Sequence, residues 1–202
     1  MEAEFYRWSQ DGGADEPEPP AGGYLDLPLS SHSDWDLRAG RRIEKWDPNA
    51  IALFDEEAEP PDFPFTSNDL PVFSPRLKAL MESLGVEGIQ YLPLRIRHQA
   101  SGREVQGYQL ANYLCLIDCL DWDRSVYQLW TKDNLLFWEQ RPHMLGTFRD
   151  VQKAVLDSSR IGTVPIFRLW GWEVMVVVRG DIKRAVEAAG MTGCWFSALE
   201  AS

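Results

Sequence analysis

Three carboxylates near the middle of the chain are spaced closely enough to do chemistry together. Asp118, Asp121 and Asp123 follow an apolar run, and clustered carboxylates serve as general acids, general bases and ligands for hard cations. A small hydrolase or metal enzyme is therefore one hypothesis. A structural role is the other, because Asp121 and Ser125 stand where the apolar pattern stops, and such residues bond their own backbone in turns.

No familiar catalytic motif accompanies these carboxylates. The sequence has no phosphate-binding glycine loop, nucleophile elbow or paired-histidine metal motif. His32, His98 and His143 share no spacing, and the three cysteines match neither a zinc pattern nor a disulfide framework. Catalytic groups can converge from distant parts of a chain, so a site using Asp118, Asp121 and a histidine stays open. We nevertheless expect no enzyme, no cofactor and no metal.

The element that must position these groups is Gly107–Ser125. As a strand it is apolar on both faces, which is typical of a central strand covered on both sides. As a helix it also gathers large apolar residues on one face, so periodicity alone does not decide. Asn112 and Asp118 are polar exceptions, and we expect them to bond backbone groups of a turn or neighbouring strand.

Two helices carry clear start and stop signals. Pro75–Leu84 follows Ser74, a good N-cap, and has proline at its first position. Ile182–Ala189 follows Asp181 as its predicted N-cap. Each is followed directly by a glycine, which is typical of a helix end.

Short apolar segments separated by turn residues fill much of the remaining chain. A break at Pro93 is expected within one of them, and Trp170-Gly171-Trp172 could form a hairpin turn. The pattern predicts an α+β fold, a single domain with a mainly antiparallel sheet and two or three helices. The segments are Phe5–Trp8, Ile51–Phe54, Ile89–His98, Val126–Trp130, Leu135–Trp138, Val151–Leu156, Pro165–Leu169 and Glu173–Val178.

The net charge of −11 is concentrated in the first third of the chain. Through Pro75 there are 17 acidic and 5 basic residues, whereas the remainder has 14 and 15. Acidic, Pro-rich stretches at 11–23 and 55–64 predict extended loops. We therefore expect an acidic, Pro/Gly-rich region at residues 1–70, packed on or decorating an α+β core at residues 71–202.

This charge distribution narrows the classes of partner. Acidic surfaces repel nucleic acid and anionic membranes and attract basic proteins, although they also simply keep proteins soluble. The chain start lacks the pattern of a signal peptide, and no apolar run reaches membrane-spanning length. We expect a cytoplasmic protein with a protein partner and with no nucleic-acid or membrane partner. A solvated acidic face is predicted at Asp47, Asp55, Glu56, Glu57, Glu59 and Asp62.

Nine tryptophans are many for 202 residues. Tryptophan is a frequent anchor of protein interfaces, but it also packs into cores while remaining partly exposed. Both roles stay open for the six that do not obviously fit one small core. They are Trp35, Trp46, Trp130, Trp138, Trp170 and Trp172.

Several short segments from Ser74 onward are distinctive in their order and spacing. They are Ser74–Leu77, Leu84–Val86, Gln90–Pro93, Tyr108–Asn112, Asp118–Asp121, Ile166–Leu169 and Ala188–Phe196. In these segments the chain resembles family eleven of the bacterial polymorphic-toxin immunity proteins, once a domain of unknown function. The resemblance covers roughly the last two-thirds of the chain, and it favours a strand in the central stretch.

The resemblance implies a cytoplasmic antidote that binds and blocks a cognate toxin domain, encoded by the adjacent gene, without catalysis. A non-enzymatic adaptor or structural domain with another protein partner is the alternative, and the oligomeric state stays open. The variable N-terminal third is then the predicted toxin-binding surface, with Trp35, Trp46, Asp55, Glu56, Glu57 and Glu59. Recurring family positions are expected to be structural, namely Asn112, Asp118, Asp121, Ser125, Phe167, Gly193 and Phe196.

Overall fold

The computed structural model describes residues 4–10, 24–27, 34–67 and 69–202. Sixteen strands, three α-helices and three short 3-10 helices lie in this part of the chain. The strands are β1 (Phe5–Ser9), β2 (Tyr24–Asp26), β3 (Ile51–Phe54), β4 (Phe65–Thr66), β5 (Val72–Phe73), β6 (Ile89–Pro93), β7 (Arg95–His98), β8 (Glu104–Val105), β9 (Gln109–Tyr113), β10 (Leu116–Ile117), β11 (Val126–Leu129), β12 (Phe148–Lys153), β13 (Val155–Leu156), β14 (Ile166–Leu169), β15 (Trp172–Arg179) and β16 (Trp195–Ala201). The α-helices are α1 (Asp34–Arg38), α2 (Pro75–Ser83) and α3 (Gly180–Ala188), and the 3-10 helices are Trp138–Gln140, Pro142–Met144 and Ser158–Arg160.

The strands form four sheets rather than the one sheet that the sequence suggested. A six-stranded sheet has the order β10-β14-β15-β1-β16-β13, and a five-stranded sheet has the order β4-β2-β3-β7-β8. The other two are a three-stranded sheet, β5-β9-β6, and the β11–β12 hairpin. Most pairs are antiparallel, but β10–β14, β13–β16, β2–β4 and β3–β7 are parallel. The α+β composition is confirmed, and the sheets are mixed rather than mainly one antiparallel sheet.

The predicted strand Ile89–His98 is split at Pro93, as expected. Its first half is β6 of the three-stranded sheet, and its second half is β7 of the five-stranded sheet. Proline has no N–H to donate to a ladder, which suits the position where the chain changes partners.

The central stretch is extended, but it forms two strands rather than one. β9 is the middle strand of the three-stranded sheet, whereas β10 lies at the edge of the six-stranded sheet. The chain crosses between them at Leu114, whose N–H donates to the Gly88 carbonyl, and Cys115, whose carbonyl accepts from the Arg168 N–H. An apolar run carries no signal for such a change of sheet, because both halves are apolar in sequence.

The helices follow their local signals, with one correction. Ser74 Oγ accepts the Leu77 N–H at 3.1 Å, so α2 begins as predicted. The N-cap of α3 is Arg179 and not Asp181. Asp181 lies in the first turn, where its carboxylate accepts hydrogen bonds from Arg179 Nε at 2.8 Å and Arg179 Nη2 at 2.7 Å. The positive end of the helix dipole also stabilises a carboxylate at this position.

Residues on both sides of residue 70 share these sheets. β1 is an interior strand of the six-stranded sheet, paired with β15 and β16, while β2 and β3 pair with each other and β3 pairs with β7. The division into regions 1–70 and 71–202 stays a prediction, but strand pairing crosses that boundary. The predicted loop at 11–23 lies outside the described residues.

Three apolar clusters hold the sheets together. One lies between the six-stranded and three-stranded sheets and beneath α2 and α3, with Trp8, Phe73 and Tyr113 among its members. A second joins the three-stranded and five-stranded sheets, and a third lies between the six-stranded sheet and the β11–β12 hairpin. Among the described helices, none is both long enough and apolar enough to cross a membrane.

Candidate partner-binding surface

The acidic segment, which we define as Asp55–Glu59, follows β3 and is exposed throughout. It is held by the hairpin that β7 forms with β8. The Glu56 carbonyl accepts a hydrogen bond from His98 Nδ1 at 2.5 Å, and the Ser101 N–H donates to the Glu57 carboxylate at 3.1 Å. A hydrogen bond from the Ser101 side chain, together with this one from its N–H, lowers the pKa of Glu57. The segment is therefore exposed but fixed in position.

Arg103 offsets part of the negative charge of this segment. Its guanidinium forms an ion pair with Glu59 and also donates to the Glu57 carbonyl at 3.1 Å. On the same hairpin, Arg95 and Arg97 pair with Glu104. In the sequence, the charged residues of the acidic segment are all carboxylates, because Arg103 is far from it along the chain. The field at the surface is consequently weaker than the run of acids implies.

Asp62 corrects the prediction of a solvated acidic face. It is buried, and its carboxylate accepts hydrogen bonds from Ser74 Oγ at 2.6 Å and the Thr192 N–H at 3.0 Å. Arg76 Nη1 forms an ion pair with it at 3.1 Å. Asp62 thus joins the chain after the acidic segment to the start of α2 and the approach to β16.

The two tryptophans predicted for this surface differ in what the structure describes. Trp46 is half-buried against the second apolar cluster, and its indole N–H donates to the Pro93 carbonyl at 2.8 Å. Trp35 lies in α1, and its side chain is outside the described part of the structure. The geometry of Trp46 is that of a packing residue with a satisfied polar group.

The central carboxylates make separate contacts with other residues and do not form one site. Asp121 Oδ1 accepts the N–H groups of Asp123 and Arg124, both at 3.2 Å, which closes a turn. Asp118 is exposed and lies 3.8 Å from Arg160. Among residues 4–10, 24–27, 34–67 and 69–202, no three His, Cys, Asp or Glu side chains are grouped so that they could hold a metal ion.

Ser125 completes this turn and attaches it to the fold. Its Oγ accepts the Val155 N–H at 3.0 Å, and the Asp121 N–H donates to the Val155 carbonyl at 2.8 Å. The contacts made here are internal to the protein and join the central turn to β13.

The other recurring family positions also make internal contacts. Buried Asn112 donates to the Arg41 carbonyl at 2.9 Å and to Gln90 at 3.0 Å. Phe167 is fully buried in the third cluster, and Phe196 stacks on Trp8 with ring centroids 5.6 Å apart. At Gly193 the φ angle is +77°, and a Cβ there would overlap the Phe63 carbonyl.

Sequence reasoning left an interface role open for Trp170 but did not single out three further exposed apolar side chains, Leu136, Phe137 and Trp122. Leu136 is 80% exposed and Phe137 is 69% exposed, both within the tip of the β11–β12 hairpin. Trp170, in the β14–β15 turn, is 51% exposed, and Trp122 is 38% exposed. We call these four residues the aromatic end. Four consecutive apolar residues beginning at Leu135 were the available signal, but they suggested a strand.

Phe148 joins two parts of this group at the base of the hairpin tip, where it pairs with Leu129. The Trp122 ring stacks on the Phe148 ring at 4.9 Å between centroids, and Tyr127 meets it edge-on at 5.4 Å. Gly171 faces the same ring so closely that a Cβ would lie 3.0 Å from it. Trp122 and the turn that presents Trp170 therefore both border Phe148, at the base of the hairpin tip.

Comparison with known proteins extends the resemblance found in the sequence. The model of the Immunity protein family (Imm11) matches residues 14–201, which begins well before Ser74 and includes the acidic segment. No curated protein matches the chain. Because the family match spans nearly the whole length, the chain belongs to the Immunity protein family (Imm11).

Proposed function

We propose that this protein binds a cognate bacterial toxin domain and neutralises it by occupation, without catalysis, in the cytoplasm of the producing cell. The observation that carries the proposal is the family match over residues 14–201. The toxin domain is expected to be encoded by the adjacent gene. Blocking requires only a stable complex, which a fixed, well-packed surface can provide.

The contacts of the central carboxylates support a role without catalysis. Asp121 accepts two backbone N–H groups, and Asp118 lies beside Arg160. A general base needs a carboxylate that can reach a substrate proton, whereas the Asp121 carboxylate closes a turn. Burial raises the pKa of Cys119 to about 12, so this thiol is a poor nucleophile at neutral pH.

The acidic segment is our proposed steering surface for the toxin. Asp55, Glu56, Glu57 and Glu59 are exposed on a chain of net charge −11, which accelerates encounter with a basic domain. Trp35 and Trp46 belong to the same proposed surface. The half-buried position of Trp46 suits support beneath the contact better than direct anchoring.

Co-expression tests this proposal directly. The C-terminal domain encoded by the adjacent gene is expressed alone and then together with this protein, and growth and co-purification are measured. We expect toxicity that is relieved by a stoichiometric complex. Toxicity that persists in the presence of folded protein would refute neutralisation, and a harmless neighbour would point to an adaptor with another partner.

A further inference from the structure

We propose that the aromatic end is the apolar anchor by which the toxin domain is held, while the acidic segment serves mainly to attract it. This inference rests on the proposed function and names the contact surface within it. A few buried aromatic and aliphatic side chains usually supply most of the affinity of an interface. The four side chains of the aromatic end are large, apolar and exposed, which is the chemistry for that task.

The exposure of Leu136 and Phe137 is built into an ordered tip. Leu135, directly before them, is buried, and its N–H donates to the Thr131 carbonyl at 3.0 Å. Asn134 accepts the Thr131 N–H at 2.8 Å and donates to the Leu129 carbonyl at 3.0 Å. These bonds hold the tip in one conformation, which presents the next two side chains to solvent.

Phe137 is held in an uncommon backbone conformation. Its φ of 56° and ψ of 41° place it in the left-handed region, which is a genuine outlier for a bulky residue. Backbone outliers of this kind cluster at functional sites, where the surrounding structure maintains them. Here the outlier precedes the 3-10 helix Trp138–Gln140 and coincides with one of the most exposed aromatic rings.

Trp170 is presented by an equally rigid turn. The Gly171 N–H donates to the Glu173 carboxylate at 2.9 Å, and buried Arg168 donates to the Glu173 carbonyl at 2.5 Å. Gly171 has a φ of 81° and packs against Phe148. A side chain displayed on a preorganised turn loses little freedom on binding, which favours affinity.

The charges around the anchor suit a protein partner with an apolar recess. The tip, Trp130–Thr147, contains Lys132 and Arg141 but also Asp133 and Glu139, so its formal charge is balanced. Lys132 lies 4.6 Å from the Trp138 ring centroid. An apolar centre with a mixed polar rim is the usual anatomy of a protein interface.

The net charge of the protein also favours the toxin domain, rather than a second copy of this chain, as the partner that binds the aromatic end. Two copies would each bring a net charge of −11, which opposes their association. A basic toxin domain is instead attracted by the acidic segment and meets no net negative charge at the tip. The side chains of the aromatic end are apolar and exposed, so the matching toxin surface must be apolar.

The experiment measures affinity for the C-terminal domain of the adjacent gene product, in an inactive form, by calorimetric titration. Phe137→Gly is the first variant, because glycine accepts the left-handed backbone while the substitution removes the exposed benzyl side chain. Trp170→Ala is the second. Leu84→Ala is the matched control, since Leu84 is 43% exposed but lies at the end of α2.

We expect Phe137→Gly and Trp170→Ala each to raise Kd at least tenfold, whereas Leu84→Ala changes it less than twofold. The melting temperature of Phe137→Gly should not fall, because the substitution relieves the backbone. If wild type binds and Phe137→Gly binds equally well, the anchor is wrong and the proposed function stands. If folded wild type does not bind, the proposed function fails.

Light scattering of the protein alone tests whether a second copy of this chain binds the aromatic end. We expect a monomer for wild type and for Phe137→Gly. A dimer that Phe137→Gly dissociates would assign the aromatic end to a second copy and overturn the proposal.

Discussion

The acidic segment and the aromatic end relate sequence to structure in opposite ways. The acids are consecutive in sequence and read as a site, yet the fold supplies Arg103, Ser101 and His98 as internal partners. The apolar residues are dispersed in sequence, yet the fold brings Trp122 and the Trp170 turn against one ring, at the base of an exposed tip. A run of acidic residues in the sequence therefore overstates the charge of the surface that they form. Apolar residues that are dispersed along the sequence do not reveal that the fold brings them to one surface.

This difference indicates which region can supply binding free energy. Exposed carboxylates with partners already in place change little when a toxin arrives, and surface ion pairs contribute about 0–1 kcal/mol each. Apolar side chains that stand in water gain about 1.5–3 kcal/mol each when fully buried. The comparison thus assigns the initial encounter to the acidic segment and the affinity to the aromatic end.

The largest expected effect tests whether the acidic segment is fixed to the core. Asp62→Ala removes the acceptor of Ser74, Thr192 and Arg76 from a buried position, and should lower the free energy of unfolding by about 3 kcal/mol. Urea denaturation measures it. Glu56→Ala, on an exposed side chain, is the control and should change stability by less than about 0.5 kcal/mol. Equal effects of the two would show that Asp62 is not an anchor.

A second substitution tests the close approach of Gly193 to the Phe63 carbonyl, which adjoins the attachment made by Asp62. Gly193→Ala would place a Cβ against the Phe63 carbonyl at a φ of +77°, and should cost about 2 kcal/mol in unfolding free energy. Gly190→Ala is matched in backbone, with a φ of +60°, but nothing lies within 4 Å of its Cβ. It should cost only about 1 kcal/mol. Equal losses would mean that the close approach does not matter.

A charge reversal sharpens the comparison at the level of rates. Replacing Asp55, Glu56, Glu57 and Glu59 by Lys should slow association with the toxin domain about tenfold at low salt. The dissociation rate should change much less, because affinity resides at the aromatic end. Stopped-flow kinetics at two salt concentrations separate these effects. Unchanged association at low and physiological salt would remove the acidic segment from the interface.

The smallest effect concerns pH. The hydrogen bond from Arg97, with the nearby Arg95, lowers the pKa of Glu104 below its ordinary value of 4.5. The folded state therefore favours the charged carboxylate, so this stability is present above pH 4.5 and is lost as pH falls through the lowered pKa. Glu104→Gln should make the unfolding midpoint slightly less sensitive to acid below pH 4.5. An identical acid profile for both proteins would contradict this.

Local chemistry made part of the fold predictable. Ser74 and Pro75 specify the start of α2, and Pro93 specifies a break, because caps and prolines act through their immediate neighbours. The strand or helix ambiguity of the central stretch was settled only by its partners. Its division between two sheets depends on Gly88 and Arg168, which are distant in sequence from one another.

The candidate surface was less predictable, because burial is a property of the whole fold. Asp62 looks like its acidic neighbours in sequence, and only the approach of Thr192 makes it an anchor. Leu135, Leu136 and Phe137 are chemically alike, yet the first is buried and the next two are exposed. No periodic pattern distinguishes them, since the tip that orients them is held by turn hydrogen bonds.

Amide hydrogen exchange of the protein with and without its toxin domain tests the central claim most directly. Protection on complex formation maps the contact along the chain. We predict the strongest added protection at 131–146 and 170–172, with weaker change at 55–59. Added protection confined to 55–59, with an unchanged hairpin tip, would contradict the assignment of affinity to the aromatic end.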